Sequence, residues 1–341
     1  MGSEDNKRGE KQMKTLIIGL GSMGKRRARL LRGLEPDVTL YGVDLSQERR
    51  EQAESLGIRA FPSLPEALAD IRPDAALVCT APATHHAIIR SLLEESIPVF
   101  TELNLLDTGY AENCALAKEK QVPLFLSSTM LYRKETQYMK QRVNLFRETT
   151  GKPVNYLYHI GQYLPDWHPW ETYQNFFVSD KRTGGVREIL GIDLPWLVDL
   201  FGDAKCVHVE NSRLTELEIA YPDTITFILR HESGTVGTMV VDVASPKAVR
   251  HFECFGEGIH LFWEGSPKEL YDYDPAAKEN RRIDTYGVYE HDSRYSDNIV
   301  ENAYVDELAD FLSMLRSGTV PRWSFEKDQK VIDLINQIDR E

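Results

Sequence analysis

The sequence predicts an α/β protein in which a doubly wound parallel sheet precedes an α+β domain with a large, open, mostly antiparallel sheet. Three observations support this fold class. Strand and helix patterns alternate from Lys14 to Leu126, which is typical of a parallel sheet covered on both faces. A glycine-rich turn joins the first strand to the first helix. From Val207 to Trp263, strand patterns follow one another directly.

The N-terminal elements alternate regularly between short β-rich runs and stretches with helical spacing of apolar residues. The predicted strands are Lys14–Ile18, Val38–Val43, Ala75–Cys79, Val99–Thr101 and Pro123–Leu126. The predicted helices are Met23–Leu34, Gln47–Leu56, Leu64–Asp70, His85–Glu95 and Gly109–Lys120. A linking helix is predicted at Arg133–Phe146.

The second half begins with an aromatic-rich strand at Val154–Tyr163, and helices are predicted near Val186–Leu200, Asn302–Leu315 and Phe325–Ile338. A hairpin is predicted to turn at Glu232–Gly234. The domain organisation is therefore a disordered tail at 1–12, a nucleotide-binding domain at 13–131 and a substrate-binding and oligomerisation domain at 132–341.

Composition excludes several classes of function. A formal charge of −13 argues against nucleic acid or an anionic membrane as the main partner, because both attract basic surfaces. No apolar run approaches the roughly 18 residues of a membrane span. Four scattered cysteines without a CxxC indicate reduced thiols in a cytoplasmic protein, and no histidine spacing suggests a metal site.

The glycine turn has the spacing of a dinucleotide-binding Rossmann fingerprint, Gly19-Leu-Gly21-Ser22-Met23-Gly24. The first glycine allows the tight turn, the second lets a pyrophosphate approach the backbone, and the third lets helix and strand pack closely. The helix N-terminus then offers unpaired N–H groups to the phosphates.

Asp44 lies 20 residues beyond Gly24, at the end of the second strand, where a carboxylate accepts from a ribose 2′-OH. A carboxylate repels a 2′-phosphate, so NAD is favoured over NADP, although Arg49 and Arg50 keep NADP open. A nucleotide-free turn, FAD or an adenylated substrate are the alternatives.

Several segments resemble the glucose–fructose oxidoreductase/inositol dehydrogenase/MocA family of NAD(P)-dependent enzymes. They are "LIIGLGSMGKRRARLL", "ALVCTAPATHHAIIRSLLE", "VFTELNLLD", "TGGVREILGIDLPWLVDLFG" and "NAYVDELADFLSMLRSG". The resemblance implies a homodimer or homotetramer that associates through the C-terminal sheet. It also implies that Thr80, Pro82 and His85 lie beside the nicotinamide, and it adds Glu102 to the cofactor-binding residues.

The chain departs from this family at the positions expected to carry the chemistry. Glu102-Leu103-Asn104 stands where the family usually has Glu-Lys-Pro. The family's Asp and His, four residues apart on one helix face, align with Ile189 and Asp193. A missing acid or base costs roughly 10²–10⁴-fold in rate, so hydride transfer is weakened by these replacements and not excluded.

Three residues are candidates for the proton carrier. Asp193 has the matching position, Glu188 lies on the same helix, and His168 titrates near neutrality. The alternatives are a helix-surface aspartate, a solvated glutamate and a histidine held structurally between Trp167 and Pro169.

An aromatic cluster predicts a carbohydrate or nucleotide-sugar site, because sugar C–H faces stack on such rings. Its members are Tyr156, Tyr158, Tyr163, Trp167, Trp170, Tyr173, Phe176 and Phe177. Lys181 and Arg182 could meet an anionic group of the substrate. Core packing of the rings and a solvated basic pair are the alternatives.

The sequence thus favours an NAD-dependent oxidoreductase that interconverts a hydroxyl and a ketone on a sugar, polyol or nucleotide-sugar. The first alternative is a dinucleotide-binding sensor or partner protein that has lost catalysis. The second is a redox-neutral elimination or epimerisation with the same cofactor.

Overall fold

The computed structural model describes residues 12–168, 171–289 and 299–340. The predicted tail lies almost entirely outside these ranges, as does Trp170 of the aromatic cluster.

The N-terminal sheet has six parallel strands in the order β3-β2-β1-β4-β5-β6. The strands are β1 (Lys14–Ile18), β2 (Thr39–Val43), β3 (Arg59–Phe61), β4 (Ala75–Val78), β5 (Val99–Thr101) and β6 (Leu124–Leu126). The helices between them are α1 (Ser22–Leu34), α2 (Gln47–Ser55), α3 (Leu64–Asp70), α4 (Pro82–Glu94) and α5 (Tyr110–Lys120). Strands β4 and β5 are buried along their whole length, as expected of central parallel strands with helices on both faces.

The second sheet has eight strands in the order β14-β13-β12-β11-β7-β10-β9-β8. They are β7 (Asn155–Gly161), β8 (Ala204–Ser212), β9 (Thr224–His231), β10 (Val236–Asp242), β11 (Val249–Gly256), β12 (Ile259–Trp263), β13 (Leu270–Asp274) and β14 (Glu279–Arg282). All pairs are antiparallel except β7 with β10. The predicted mostly antiparallel open sheet is therefore confirmed.

Four helices complete the described chain: α6 (Lys134–Thr150), α7 (Gly185–Phe201), α8 (Glu301–Ser317) and α9 (Phe325–Ile338). Helix α7 packs against the second sheet through Trp196, which contacts Phe252 and Trp263 edge-on. It continues through Pro195. Helix α8 returns to the first domain and packs on α1. Helix α7 lies between the second sheet and the loop that follows β5 of the first sheet.

The predicted elements agree with this structure except at their ends, but the sequence pattern did not indicate the three-residue edge strand β3 or the strands β13 and β14 beyond Trp263. The hairpin turn after His231 is confirmed. Within the described ranges, no helix has the length and apolar character needed to cross a bilayer. Those same ranges contain no group of three or more His, Cys, Asp or Glu side chains that could hold a metal ion.

Candidate functional site

The glycine turn after β1 is shaped by contacts that leave no room for side chains. Gly19 has a φ of 93°, and a Cβ there would lie 2.6 Å from the carbonyl oxygen of Cys79. A Cβ at Gly24 would lie 1.9 Å from the oxygen of Gly19. At Gly21, in contrast, the nearest atom to a Cβ would be Nη1 of Arg49, 3.6 Å away. The start of α1 is thus an open backbone cradle, which fits a dinucleotide pyrophosphate.

Ser22 and Met23 form the first turn of α1 behind Gly21, with Ser22 exposed and Met23 half-buried. No acidic residue occupies this turn. The positive end of the helix dipole is therefore not neutralised by the helix's own side chains.

Asp44 follows β2 at the rim of the cradle. Its Oδ2 accepts from the backbone N–H of Leu20 at 2.8 Å, and its Oδ1 accepts from the N–H of Ser46 at 2.9 Å. Nη1 of Arg49 lies 3.8 Å from Oδ2. The predicted ribose-binding carboxylate is brought to the glycine turn, with a guanidinium beside it.

Thr80, Pro82 and His85 lie at the carboxyl end of β4 and in the first turn of α4. His85 is buried, with Nε2 2.8 Å from the carbonyl oxygen of Thr80 and Nδ1 2.6 Å from the Asn104 amide. Burial lowers the pKa of His85, which its hydrogen bonds to Thr80 and Asn104 only partly oppose. Because the Thr80 carbonyl oxygen can only accept, Nε2 donates to it, and Nδ1 faces Oδ1 of Asn104. His85 therefore ties the Thr80 segment to the loop after β5.

Glu102 directly follows β5 and is held by a buried guanidinium. Nε of Arg27 lies 2.5 Å from Oε1 of Glu102, and Nη2 of Arg27 lies 2.6 Å from Oε2 of Glu307 on α8. Glu307 also accepts from the N–H of Ser128 at 2.6 Å and from the hydroxyl of Ser127 at 3.0 Å. Sequence reasoning missed Arg27 and Glu307, since their partners come from distant parts of the chain.

The loop after β5 docks on α7. A Cβ at Gly191 would lie 2.7 Å from the Leu105 side chain and 3.4 Å from that of Leu103. Nε of Arg187 donates to the carbonyl oxygen of Leu105 at 2.9 Å. Ile189 is buried. The replacement of the family's lysine and aspartate by Leu103 and Ile189 stays a prediction.

Asp193 is fully buried in a network of hydrogen bonds. Its Oδ1 accepts from the Tyr158 hydroxyl at 2.6 Å and from Nε1 of Trp196 at 3.1 Å, and it forms an ion pair with Nη1 of Arg250. Its Oδ2 is enclosed and accepts no hydrogen bond from the described residues. Asp193 is therefore buried and paired, and it is not a free helix-surface group.

Arg250 on β11 is a residue that sequence reasoning missed. Besides its pair with Asp193, Nη1 lies 3.0 Å from the hydroxyl of Tyr158 and 3.8 Å from Sδ of Met130. Burial disfavours its charge, but Asp193 more than compensates, and the pKa of Arg250 is raised. The available signal was an arginine in the inward-facing alternation Arg250, Phe252, Cys254 of a strand.

Glu188 lies in the first turn of α7, and its Oε2 is enclosed without a hydrogen bond from the described residues. Burial raises the pKa of Glu188 to about 8. Its charge in turn acts on Tyr221, whose hydroxyl donates to the oxygen of Val178 at 2.7 Å and accepts from the N–H of Gly185 at 2.9 Å. Glu188 can therefore exchange a proton near neutral pH.

His168 packs on Phe176, with ring centroids 4.5 Å apart, beside a cavity of about 10 Å³. Burial lowers the pKa of His168. Trp167 is partly buried, and its Nε1 donates to the Gln162 carbonyl at 3.0 Å. Tyr163 is partly buried against the same core.

Other members of the predicted substrate face separate in the structure. Tyr156 and Tyr158 are buried, and Tyr156 stacks on Phe201, so both rings belong to the core. Lys181 and Arg182 are exposed, and Arg182 is paired with Asp180 at 2.8 Å.

Comparisons with known proteins agree with this geometry. Residues 13–127 match the model of the GFO_IDH_MocA oxidoreductase family with an NAD-binding Rossmann fold. A myo-inositol 2-dehydrogenase of Thermotoga maritima is 27% identical over 333 residues, covering 92% of this chain and 91% of the relative.

Two solved structures share the fold over nearly the whole chain. A UDP-N-acetylglucosamine 3-dehydrogenase from Acidithiobacillus ferrooxidans superimposes with a TM-score of 0.71 at 16% identity, covering 97% of this chain and 98% of that one. A myo-inositol dehydrogenase from Corynebacterium glutamicum gives 0.71 at 18% identity, covering 96% and 95%. Residues 13–127, which contain the dinucleotide cradle, thus resemble the GFO_IDH_MocA oxidoreductases with an NAD-binding Rossmann fold, and the similarity to the myo-inositol 2-dehydrogenase extends over nearly the whole chain.

Proposed function

We propose that this protein is an NAD-dependent oxidoreductase that interconverts a hydroxyl and a ketone on a sugar, polyol or nucleotide-sugar. The observation that carries the proposal is the open cradle of Gly19, Gly21 and Gly24 with Asp44 at its rim. The named activities of the relatives, on inositol and on a sugar nucleotide, support this substrate class.

The cofactor-binding residues have distinct tasks in this proposal. The backbone amides at Ser22 and Met23 receive the phosphates, while the Thr80–Pro82 segment and Glu102 border the nicotinamide. His85 keeps that border fixed through Thr80 and Asn104. The bound cofactor supplies the hydride acceptor or donor.

NAD is the preferred cofactor in this proposal because the Asp44 carboxylate repels a 2′-phosphate. Arg49 lies close enough to that carboxylate to offset part of the repulsion. We therefore expect measurable but weaker binding of NADP.

Glu188 is the best suited of the three candidates for the proton carrier. Asp193 is committed to Arg250 and Tyr158. His168 lies beside Phe176 in the loop that follows β7. A half-buried glutamate whose pKa is about 8 can both hold and release a proton near neutrality, as general acid–base catalysis requires.

Self-association through the outer face of the second sheet completes the proposal. Leu157 and Phe255 lie on the adjacent strands β7 and β11 and are 43% and 38% exposed. Such apolar side chains on an open sheet fit a homodimer or homotetramer interface.

Four free cysteines fit a cytoplasmic location.

A catalytically inactive sensor or partner protein is the second candidate. It is favoured by Leu103 and Ile189, which place aliphatic side chains where the family uses a lysine and an aspartate.

NADH fluorescence during a screen of sugars, polyols and sugar nucleotides separates the two candidates. Hydride exchange with any of them is expected, and Glu188→Gln should lower that rate at least tenfold. Tight NAD binding without exchange, even after overnight incubation, would instead establish the sensor.

A further inference from the structure

Arg250 offers one edge of its guanidinium that the protein does not use. Nη1 makes all of its hydrogen bonds, to Asp193, Tyr158 and Met130. Across the described ranges, Nε and Nη2 donate to no protein group. Neither nitrogen is fully enclosed, and 15% of the side chain stays exposed. Two parallel N–H groups are therefore left over on a side chain that is otherwise fixed.

The contacts of Nη1 place the Arg250 guanidinium where the two domains meet. Met130 lies in the turn after β6, at the carboxyl edge of the nucleotide-binding sheet. Asp193 is one helical turn beyond Ile189 on α7, and Tyr158 is on β7. Arg250 thus meets the first domain, α7 and the second sheet at once. In parallel α/β sheets, this carboxyl edge is where ligands bind.

The chemistry of the free edge selects a particular kind of ligand. The Nε and Nη2 hydrogens are parallel and match the two oxygens of a carboxylate. Asp193 holds the guanidinium in place, so little side-chain entropy is lost when a ligand binds.

We propose that the substrate carries a carboxylate, as a uronate, aldonate or smaller hydroxy acid does, and that this carboxylate binds the Nε–Nη2 edge of Arg250. The inference rests on the proposed function and narrows its substrate class. It assigns to Arg250 the binding of an anionic substrate group, which the sequence suggested for Lys181 and Arg182. Of these two, Arg182 is already paired with Asp180.

The test compares acids with neutral analogues on the NAD-loaded full-length protein. Glucuronate, galacturonate, gluconate and lactate are titrated beside glucose, galactose, sorbitol and 1,2-propanediol, and binding is read by calorimetry and thermal shift. At least one acid should bind while its neutral analogue does not. Failure of every acid, or equal binding of the neutral analogue, overturns the proposal.

Two variants locate the effect. Arg250→Lys keeps a cation for Asp193 but loses the two parallel N–H donors, so acid affinity should fall roughly 10- to 100-fold. A second variant, Arg250→Gln with Asp193→Asn, removes both charges together and should bind no acid while remaining folded. Unchanged acid affinity in either variant contradicts the assignment.

Arg142→Lys is the matched control. Arg142 also pairs with an aspartate, Asp272, that accepts from a tyrosine, Tyr138, but on α6 and β13. Its acid affinity should equal that of the unmodified protein. NADH turnover is measured separately. Acid binding that depends on Arg250 but gives no turnover supports this inference and contradicts the oxidoreductase function. Turnover of neutral compounds alone supports the oxidoreductase function and contradicts this inference.

Discussion

Nη2 of Arg27 on α1 lies 2.6 Å from Oε2 of Glu307 on α8, and neither side chain has exposed surface. The pair joins the helix of the dinucleotide cradle to a helix that comes 280 residues later in the chain. The same guanidinium holds Glu102 and lies 4.6 Å above the Phe100 ring. The cradle is therefore supported by the C-terminal part of the chain.

Replacing Arg27 should destabilise the protein strongly. Arg27→Met leaves the carboxylates of Glu102 and Glu307 without their cation, at a cost of about 3–5 kcal/mol. Urea denaturation measures this loss. Arg29→Met is the control on the same helix, because Arg29 is 49% exposed and its pair with Glu301 should contribute less than about 1 kcal/mol. Equal losses in both variants would contradict the role of Arg27.

Gly24→Ala should abolish dinucleotide binding, because its Cβ would lie 1.9 Å from the Gly19 oxygen and force the cradle apart. Tryptophan quenching by NADH measures the affinity, which should fall at least tenfold. Gly33→Ala provides the control on α1, since its Cβ meets nothing within 4 Å. That substitution should keep NADH affinity and stabilise the helix by roughly 0.5–1 kcal/mol.

Asp44→Ser should lower NAD affinity roughly 10- to 100-fold, through loss of roughly 1.5–3 kcal/mol for a charged hydrogen bond to ribose. NADP affinity should fall less or rise, because Arg49 then faces the 2′-phosphate without a competing carboxylate. Titrations with both dinucleotides give the ratio. Adding Arg49→Gln to the Asp44→Ser variant should remove any rise in NADP affinity. If Asp44→Ser leaves the ratio of NAD affinity to NADP affinity unchanged, Asp44 has no part in cofactor selection.

Glu188 should make stability depend on pH in a defined direction. Its folded-state pKa of about 8 lies above the unfolded value of about 4.3, so the folded protein binds the extra proton between these limits. Its contribution is complete below about pH 4.3 and declines as the pH rises towards 8, by at most about 1.4 kcal/mol per pH unit. Urea denaturation from pH 5 to 8 should show a flatter profile for Glu188→Gln than for the unmodified protein. Parallel profiles would contradict this.

The outer face of the second sheet should control assembly. Leu157→Arg or Phe255→Glu places a charge among the exposed apolar residues of β7 and β11, and size-exclusion chromatography with light scattering should show a monomer. Val320→Glu is the control, because Val320 is 86% exposed in the loop before α9. A monomeric unmodified protein would contradict the interface.

The fold was predictable where local patterns suffice. The glycine turn, the alternation up to Leu126 and the hairpin after His231 each follow from residues close in sequence. Strand β3 was missed because Arg59–Phe61 is a three-residue edge strand, too short to show periodicity. Helix α7 runs through Pro195, since tertiary packing outweighs the local cost of proline.

The candidate site was predictable only on its dinucleotide side. Asp44 lies near Gly19 because each residue follows one of two consecutive strands, β1 and β2, which pair in parallel. Arg250 contacts Asp193 only because α7 packs on the sheet that contains β11, which no local pattern reveals. Glu188 was recognised as titratable from its type, but its enclosure depends on tertiary packing, which also brings it close enough to Tyr221 to act on it electrostatically.

The position of β7 at the middle of its sheet has a consequence for biosynthesis. Its partners β10 and β11 end at Asp242 and Gly256, so β7 leaves the ribosome about 80 residues before β10 and stays unpaired until both have emerged. Its edges are open to foreign strands during that interval. Slow translation between Gly161 and Asp242 should therefore favour aggregation of nascent chains, whereas the first sheet, complete at Leu126, is already protected.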